Sequence, residues 1–323
     1  MQVAGIVSRD DTILGLSRNL MTSMGDGGEY FGINMGGVQF LQVGQICLLA
    51  MFGKWAESKY GCSRITGLDA CPDVFRYLQR IDFCNYLGID VEEGFERHAS
   101  NKFVEIRQIL NDEENTANDI PAKFREVIEA TSKLDKSIVS AIHMSFGEIM
   151  DNVLTHSRTE IPGIAVSQYY PNKNYVEFCV ADVGIGIPES LRMNPGFKNH
   201  SDFDLLLRAF EFGVGENVYG SNEVDEGYGC GYGLAFASEL AKASNGKLWA
   251  ISNNNAIRFD GYSTTKLENC WFPGTVICMR VPSDIALTEV ELDVEGKARP
   301  NRPYYWDDKG NDLEDIYEDD ILW

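Results

Sequence analysis

The chain has 323 residues, of which 44% are hydrophobic and 24% are charged, and its formal net charge at pH 7 is −21. This composition is typical of a folded globular protein with room for two domains, and it excludes global disorder. The acidic excess argues against a nucleic-acid partner, because neutralising a phosphate backbone requires clustered lysine and arginine.

Residues 1–95 are predicted to form a small α/β domain. The run 36–61 begins with a strand-like piece and continues with helical spacing, the segment 62–70 is predicted to be a second strand, and another helix begins at Pro72. The ending PDVFRYLQRIDFCNYLGI resembles the close of sulfate-transporter and anti-sigma-antagonist (STAS) domains, although VQFLQVGQICLL lacks the Asp-Ser dipeptide of antagonist members. The resemblance implies a STAS-like fold, and an unrelated α/β packing domain is the alternative.

Residues 96–136 are predicted to form connecting helices. Apolar side chains recur at helical spacing around Ile106 and again around Val127. The polar segment 111–119 between them is typical of an exposed turn.

The segment 137–157 is predicted to form a helix with two distinct faces. Its apolar side chains share one stripe, while Glu148 and Asn152, four residues apart, point the same way on another. A carboxylate can act as a general base, and an amide oxygen one turn away is a suitable ligand for Mg²⁺. Taken alone, the two residues also fit an ordinary polar pair on a helix surface.

A strand is predicted over 174–182, where residues that favour strands end in Asp182 and the turn residues Gly184 and Gly186. A buried acceptor at the end of a strand can accept a hydrogen bond from the exocyclic amine of adenine, and the glycines let a base approach the backbone. By itself, the D-x-G-x-G pattern also fits any strand-to-turn transition.

Three alternating glycines, Gly229, Gly231 and Gly233, lead into a predicted helix within residues 226–248. The backbone N–H groups of such a loop and of the helix N-terminus form a phosphate site that needs no basic side chain. A flexible loop before a helix is the alternative. The loop is not a P-loop, because no Gly-Lys-Ser/Thr follows it.

The order E-x-x-x-N, D-x-G-x-G, G-x-G-x-G-L and a closing strand PGTVICMRVP resembles the superfamily of gyrase, heat-shock chaperone, histidine-kinase and mismatch-repair (GHKL) ATPases. The resemblance spans about residues 137–282. It implies a two-layer α/β sandwich, with helices over a mixed sheet, and an ATP-binding domain at 137–283 that takes ATP and Mg²⁺ as cofactors.

The resemblance also implies roles for single residues. It makes Glu148 the general base, Asn152 the Mg²⁺ ligand and Asp182 the adenine contact. The other ligand-binding residues that it implies are glycines that shape the base pocket or line the phosphates, and a hydroxyl that helps to hold adenine: Gly184, Gly186, Gly229, Gly231, Gly233 and Thr275.

Two further features follow from the resemblance. Residues 189–228 correspond to the lid that closes over ATP in this superfamily, and the portion 205–212 is predicted to be helical. His156 matches a position where many members carry histidine, and a surface histidine with ordinary hydrogen bonds is the alternative.

Three uses of such a site remain open: an ATPase in which Glu148 activates water, a kinase in which it activates a partner's serine, and a sensor in which ATP only sets a conformation. A self-phosphorylating histidine kinase is disfavoured, because His98 and His143 are followed by Ala and Met.

The E-x-x-x-N form and the STAS-like neighbour resemble anti-sigma serine kinases. We therefore expect Mg-ATP binding coupled to hydrolysis or serine/threonine phosphotransfer, in a regulatory switch with a protein partner. A non-hydrolysing, ATP-gated interaction module is the alternative.

Residues 284–323 form a tail with 13 acidic and 4 basic residues and five interspersed aromatic residues. Its net of nine negative charges favours a solvated tail, whereas the aromatic residues favour docking on this protein or on a partner.

Cysteine spacing and the N-terminus bear on the compartment. None of the eight cysteines forms a C-x-x-C pair, which favours free thiols in a reducing cytosol. The start MQVAGIVSRDDTILG is too polar for a signal peptide, and no apolar run approaches the roughly 20 residues that cross a bilayer. We expect a cytoplasmic protein with no membrane partner, and a homo-oligomer stays open.

Overall fold

The computed structural model of the protein describes residues 12–23, 31–61, 63–90, 102–110, 116–134, 136–215 and 233–285. Its elements fall into an N-terminal group, before residue 91, and a large sheet with covering helices. Apart from Asp284 and Ile285, the predicted acidic tail lies outside the described residues.

The N-terminal group is built around a parallel β-α-β unit. Its elements are α1 (Thr12–Ser23), β1 (Phe31–Asn34), α2 (Val43–Tyr60), β2 (Ser63–Thr66), α3 (Pro72–Arg80) and α4 (Phe83–Tyr86). Strands β1 and β2 pair in parallel, as the two ends of a crossover through α2. The predicted helices α2 and α3 and the strand β2 are confirmed. The predicted strand-like start of 36–61 is wrong, because the strand lies just before it, at β1.

The rest of the described chain forms a seven-stranded sheet in the order β3-β4-β5-β9-β6-β7-β8. Its strands are β3 (Phe103–Ile109), β4 (Gly163–Tyr170), β5 (Tyr175–Asp182), β6 (Lys247–Asn253), β7 (Asn255–Asp260), β8 (Ser263–Leu267) and β9 (Phe272–Pro282). The α/β fold is confirmed, but this sheet is antiparallel at every pairing rather than mixed. Short connections join β4 to β5, β6 to β7 and β7 to β8, and short connections can join only antiparallel strands.

One face of the sheet is covered by a layer of helices. They are α5 (Thr116–Thr131), α6 (Lys136–His156), α7 (Ile187–Leu191), α8 (Asp202–Arg208) and α9 (Gly233–Ala243). Phe124 of α5, Phe146 of α6 and Phe178 of β5 pack with ring centroids 5.0 to 5.9 Å apart. The predicted helix over 137–157 and the layer of helices over a sheet are thus confirmed. Within the described ranges, no helix has the length and apolarity needed to span a membrane.

The opposite face of the sheet is covered by α2. Residues Val43 to Gly53 of this helix are all buried, and their apolar side chains share one cluster with Cys179 of β5 and Cys278 of β9. All eight residues of β5 are buried as a result. A strand that is covered on both faces gives a nearly continuous apolar run, which explains why YVEFCVAD alternates only partly.

Polar contacts fix the N-terminus of α2 on the sheet. The Val43 N–H donates to the Tyr170 hydroxyl at 3.0 Å, and the Gly44 N–H donates to Glu177 Oε1 at 3.0 Å. Glu177 Oε2 in turn accepts from Arg280 Nη2 at 2.7 Å and Nε at 2.9 Å. These contacts satisfy N–H groups that the first turn of a helix leaves unpaired, and they place a carboxylate at its positive end.

Helix α1 is also attached to the C-terminal part of the chain. Ser17 Oγ donates to the Trp271 carbonyl at 2.9 Å and accepts from the Trp271 N–H at 2.8 Å. The domain boundary near residue 95 stays a prediction, but the N-terminal group and the sheet share an apolar cluster.

The predicted helix around Ile106 is wrong, because this segment is the edge strand β3. A bulge lies between Val104 and Arg107. Val104 and Ile109 join the core on the helix-covered face, while Ile106 joins the core on the α2 face. The bulge breaks the alternation of a strand, so the apolar spacing imitates that of a helix. The predicted second helix, around Val127, is confirmed as α5.

Candidate functional site

A cleft opens between the helix layer and the ends of the central strands. It encloses about 880 Å³ of space, part of which is open to solvent. Asn152, Asp182, Gly186 and Thr275 all line it, so four of the predicted site residues meet in one place. Apolar walls with a few polar groups are typical of small-molecule sites. The apolar side chains of the cleft include Ile149, Val153, Val180, Ile187, Leu191, Leu234 and Ile277.

Asp182 is the buried acid of this cleft. It is the last residue of β5 and only 6% exposed, and its Oδ1 accepts a 2.8 Å hydrogen bond from the Gly184 N–H. Burial raises the pKa of Asp182 to about 7, and the bond from Gly184 offsets part of that shift. A buried carboxylate with one N–H donor retains acceptor capacity, and Asp182 can offer it to a molecule in the cleft.

Two glycines allow close backbone contacts around Asp182. A Cβ atom at Gly184 would lie 2.0 Å from the carbonyl oxygen of Ser157, at the end of α6. At Gly274, where φ is 137°, a Cβ would lie 2.3 Å from the carbonyl oxygen of Asp182. No other residue type fits these positions without a backbone shift. Gly184 therefore joins the end of β5 to the end of α6.

Two residues missed by the sequence analysis hold the glycine turn after β5. Asn253 Nδ2 donates to the Ile185 carbonyl at 2.8 Å, and Ser252 Oγ accepts from the Ile187 N–H at 2.8 Å. Gly186, between them, has a φ of 84°, and a Cβ there would lie 2.5 Å from Asn253 Nδ2. In the sequence, the only local indication of these two residues is that a polar pair, Ser252 and Asn253, ends the apolar strand β6.

Thr275 lies directly across from Asp182. The two residues are register partners on β9 and β5, and Thr275 is 9% exposed. Its Oγ1 is 3.3 Å from Ser252 Oγ. An acid and a hydroxyl therefore stand side by side on the wall of the cleft.

Helix α6 carries the predicted base and metal ligand. Asn152 and His156 line the cleft. Glu148 lies one turn earlier, against the start of α9, because a Cβ at Gly233 would be 2.5 Å from Glu148 Cβ. The helix thus brings the last glycine of the G-x-G-x-G pattern to Glu148. Gly229 and Gly231 lie outside the described residues.

The predicted lid is described as far as residue 215. Its helix runs over α8, Asp202–Arg208, and begins and ends earlier than the predicted 205–212. Leu205 and Leu206 are buried against the helix layer, and Val214 and Gly215 reach the cleft. Closure of this segment over a ligand stays a prediction, and residues 216–228 lie outside the described part of the chain.

The metal prediction depends on a small set of donors. Across the described ranges, no group of three or more His, Cys, Asp or Glu side chains could hold a metal ion. Asn152 can contribute one amide oxygen from the wall of the cleft. Mg²⁺ often binds through one or two protein oxygens together with substrate phosphates and water, so this donor fits Mg²⁺ only when a nucleotide is bound.

Comparison with known proteins supports the nucleotide interpretation. Residues 138–285 match the family model described as histidine kinase-, DNA gyrase B-, and HSP90-like ATPase. This segment is similar to GHKL-type ATPases. No curated protein and no solved structure matches the chain. The match supports ATP binding by the segment, while the STAS-like domain and the anti-sigma kinase resemblance stay predictions.

Proposed function

We propose that residues 138–285 bind Mg-ATP and couple its binding to hydrolysis or to serine/threonine phosphotransfer, in a regulatory switch with a protein partner. The observation that carries this proposal is the environment of Asp182. This residue is a buried carboxylate with spare acceptor capacity in an apolar cleft, within a segment that matches an ATPase family.

Adenine would occupy the inner part of the cleft. Its exocyclic amine would donate to the free oxygen of Asp182, and its faces would pack against side chains such as Ile149 and Ile277. Burial removes competing water from this hydrogen bond, and a charged acceptor makes it stronger than a neutral one would.

The phosphates would extend toward Asn152 and the start of α9. A helix N-terminus supports anions through its free N–H groups, and α9 has eleven residues. Bound Mg²⁺ would neutralise charge on the phosphates, and Asn152 would hold it by the amide oxygen. Glu148 would accept a proton from water in hydrolysis, or from a partner's hydroxyl in phosphotransfer.

One observation favours the alternative, an ATP-gated interaction module that does not hydrolyse ATP. Glu148 packs against Gly233 and is not among the residues that line the cleft. A general base must come within hydrogen-bonding reach of the proton that it removes. The enzymatic function therefore requires Glu148 to reach the nucleotide when the ligand or a partner is bound.

The identity of the partner is inferred from charge and resemblance. The net charge of −21 supports a protein partner rather than a nucleic acid, and the resemblance to anti-sigma kinases supports a switch. A homo-oligomer is compatible with the same features. The six described cysteines are unpaired, as a reducing cytoplasm would keep them.

Titration of Mg-ATP, followed by product analysis with and without serine-bearing partner proteins, tests the proposal. Glu148→Ala should keep ATP affinity nearly intact, because a base acts on the nucleophile, while turnover falls about 10² to 10⁴-fold. Asn152→Ala should lower affinity and turnover together. The exposed Glu160→Ala is the control and should change neither.

The outcomes separate the alternatives. Mg-ATP binding without ADP formation or phosphotransfer under any partner condition would replace the enzyme with the ATP-gated module. A titration that shows no Mg-ATP binding would reject both.

A further inference from the structure

Ser252, near the end of strand β6, contacts two hydrogen-bonding groups beside the cleft. Ser252 is fully buried, and its Oγ accepts from the Ile187 N–H at 2.8 Å. The same oxygen lies 3.3 Å from Thr275 Oγ1. Ser252 thus connects the turn after β5 with the hydroxyl beside Asp182.

The direction of these hydrogen bonds follows from the position of each hydrogen atom. Since Ser252 Oγ already accepts from a backbone N–H, its own hydrogen needs an acceptor, and a buried hydroxyl is rarely left without one. In the part of the chain that the structure describes, Thr275 Oγ1 is the acceptor within reach. Ser252 therefore donates to Thr275. The hydrogen of Thr275 is left to point into the cleft that this residue lines.

The wall of the cleft then presents two complementary groups side by side. In its ionised form Asp182 is an acceptor, Thr275 is a donor, and the two are register partners on adjacent strands. Adenine carries an amine donor at C6 beside the acceptor N1. Hypoxanthine and guanine carry the reverse pair, an acceptor O6 beside a donor N1–H. An acceptor–donor wall matches the first pattern and leaves two unmatched contacts with the second.

We propose that Ser252 is a specificity-determining positioning residue, which selects adenine over 6-oxopurines by turning the Thr275 hydroxyl into a donor. Asn253 supports this arrangement, because its bond to the Ile185 carbonyl holds the turn that supplies the Ile187 N–H. The inference rests on the proposed ATP binding and adds the residue that orders its base-reading groups.

The ratio of the dissociation constants for ITP and ATP, measured by calorimetry with Mg²⁺ at pH 8, where Asp182 is ionised, tests the proposal. ITP differs from ATP only at the C6–N1 edge of the base, so the ratio isolates base reading from phosphate binding. In Ser252→Ala, Thr275 can turn its hydrogen away and accept from ITP, and the ratio should fall about tenfold. Ser252→Thr keeps the hydroxyl and should keep the ratio.

A double-mutant cycle identifies the path of the effect. Thr275→Val should lower the ratio about as much as Ser252→Ala, and the double variant should lower it no further, because each change alone removes the fixed Thr275 donor that opposes the N1–H group of ITP. Asn174→Gly is the control and should leave the ratio unchanged. Asn174 is exposed and precedes β5, at the opposite end of the strand from Asp182.

Each result has a distinct meaning. Equal losses of ATP and ITP affinity in Ser252→Ala, or additive effects in the double variant, would show a merely structural role and overturn the proposal. If Ser252→Ala fails to fold, Ser252→Cys keeps the volume with a weaker donor, and an unchanged ratio in that variant overturns the proposal. A wild-type protein that binds neither nucleotide would refute the proposed function instead.

Discussion

Glu177 and Asp182 lie five residues apart on strand β5 and face opposite sides of the sheet. Glu177, which is 1% exposed, has both oxygens engaged, one by the Gly44 N–H and the other by Arg280. Asp182, which is 6% exposed, receives one backbone N–H and borders a cleft. Both oxygens of Glu177 are therefore engaged within the protein, whereas Asp182 retains an oxygen that can accept a hydrogen bond from a molecule in the cleft.

The same strand therefore serves two purposes. On the α2 face, the Glu177–Arg280 pair and the first turn of α2 close a polar network that fixes the N-terminal group on the sheet. On the other face, the strand end and its glycine turn leave room for a ligand. Mutations at the two carboxylates should consequently have different effects. Loss of Glu177 should destabilise the fold, whereas replacement of Asp182 should weaken ligand binding and remove the free-energy cost of burying its charge.

The largest expected effect is on stability at Glu177. Glu177→Ala leaves the Arg280 side chain, which is only 12% exposed, without its carboxylate partner, and it leaves the Gly44 N–H unsatisfied. The free energy of unfolding should therefore fall by about 3 to 5 kcal/mol. Urea titration measures it. Glu57→Ala is the control. Glu57 lies on α2, whose first turn contacts Glu177, and its 3.0 Å pair with Lys54 is exposed and contributes less than about 1 kcal/mol. Similar losses of unfolding free energy in Glu177→Ala and Glu57→Ala would contradict a larger structural role for Glu177 than for the exposed Glu57.

The next effect is the pH dependence of stability that Asp182 causes. Its pKa of about 7 in the folded protein lies above the value near 4 of the unfolded chain, so the folded state binds more protons between these pH values. Stability should therefore fall as pH rises from about 4 to 7, relative to Asp182→Asn, by at most about 4 kcal/mol. Urea titrations of both proteins across this range measure the difference. Parallel curves would contradict a buried, poorly solvated carboxylate.

The residues of the cleft that were predicted could be found because each lies in a pattern within a single helix or at a single strand end. Asn152 falls on the polar stripe of one helix, and Asp182 ends an apolar run before glycines. Such patterns need only the period of one element and a strand end. Glu148, one turn before Asn152, is not among the residues that line the cleft. Ser252 and Asn253 were missed because they act on residues 65 and 68 positions away, and no local pattern reveals such contacts.

The packing of α2 against the large sheet, through Glu177, was not predictable for the same reason. The sequence indicated α2 and β2 but not the packing of α2 on the large sheet, because the Gly44–Glu177 contact spans 133 positions. Strand β3 was missed because a bulge changed its apolar period. The predicted mixed sheet is antiparallel at every pairing, including the long-range pairs β5–β9 and β6–β9. Long-range pairing and register are tertiary properties that override local spacing.

A smaller effect is expected on ligand affinity at Asp182. Asp182→Asn replaces a charged acceptor in the cleft, and losing a hydrogen bond to a charged group costs about 1.5 to 3 kcal/mol, or roughly 10 to 150-fold in the dissociation constant of ATP. Calorimetry at pH 8 measures it, with circular dichroism to show an intact fold. Glu57→Ala should leave the affinity unchanged. An Asp182→Asn protein that binds ATP as tightly as the wild type would remove Asp182 from the site.

The smallest expected effect concerns the part of the lid beside the cleft, where Val214 and Gly215 reach the lining. If the segment 189–228 closes over the phosphates, Mg-ATP should slow its amide hydrogen exchange by about threefold to tenfold, and ADP should slow it less because the γ-phosphate contacts are missing.

Helix α2 is the internal control. It lies on the opposite face of the sheet and is fixed there by Glu177, so its exchange should not respond to nucleotide. Equal exchange of the segment with and without Mg-ATP would indicate a permanently ordered insertion. Equal protection of α2 would instead show that both faces of the sheet respond to nucleotide. In that case the α2 face and the cleft face would not be independent.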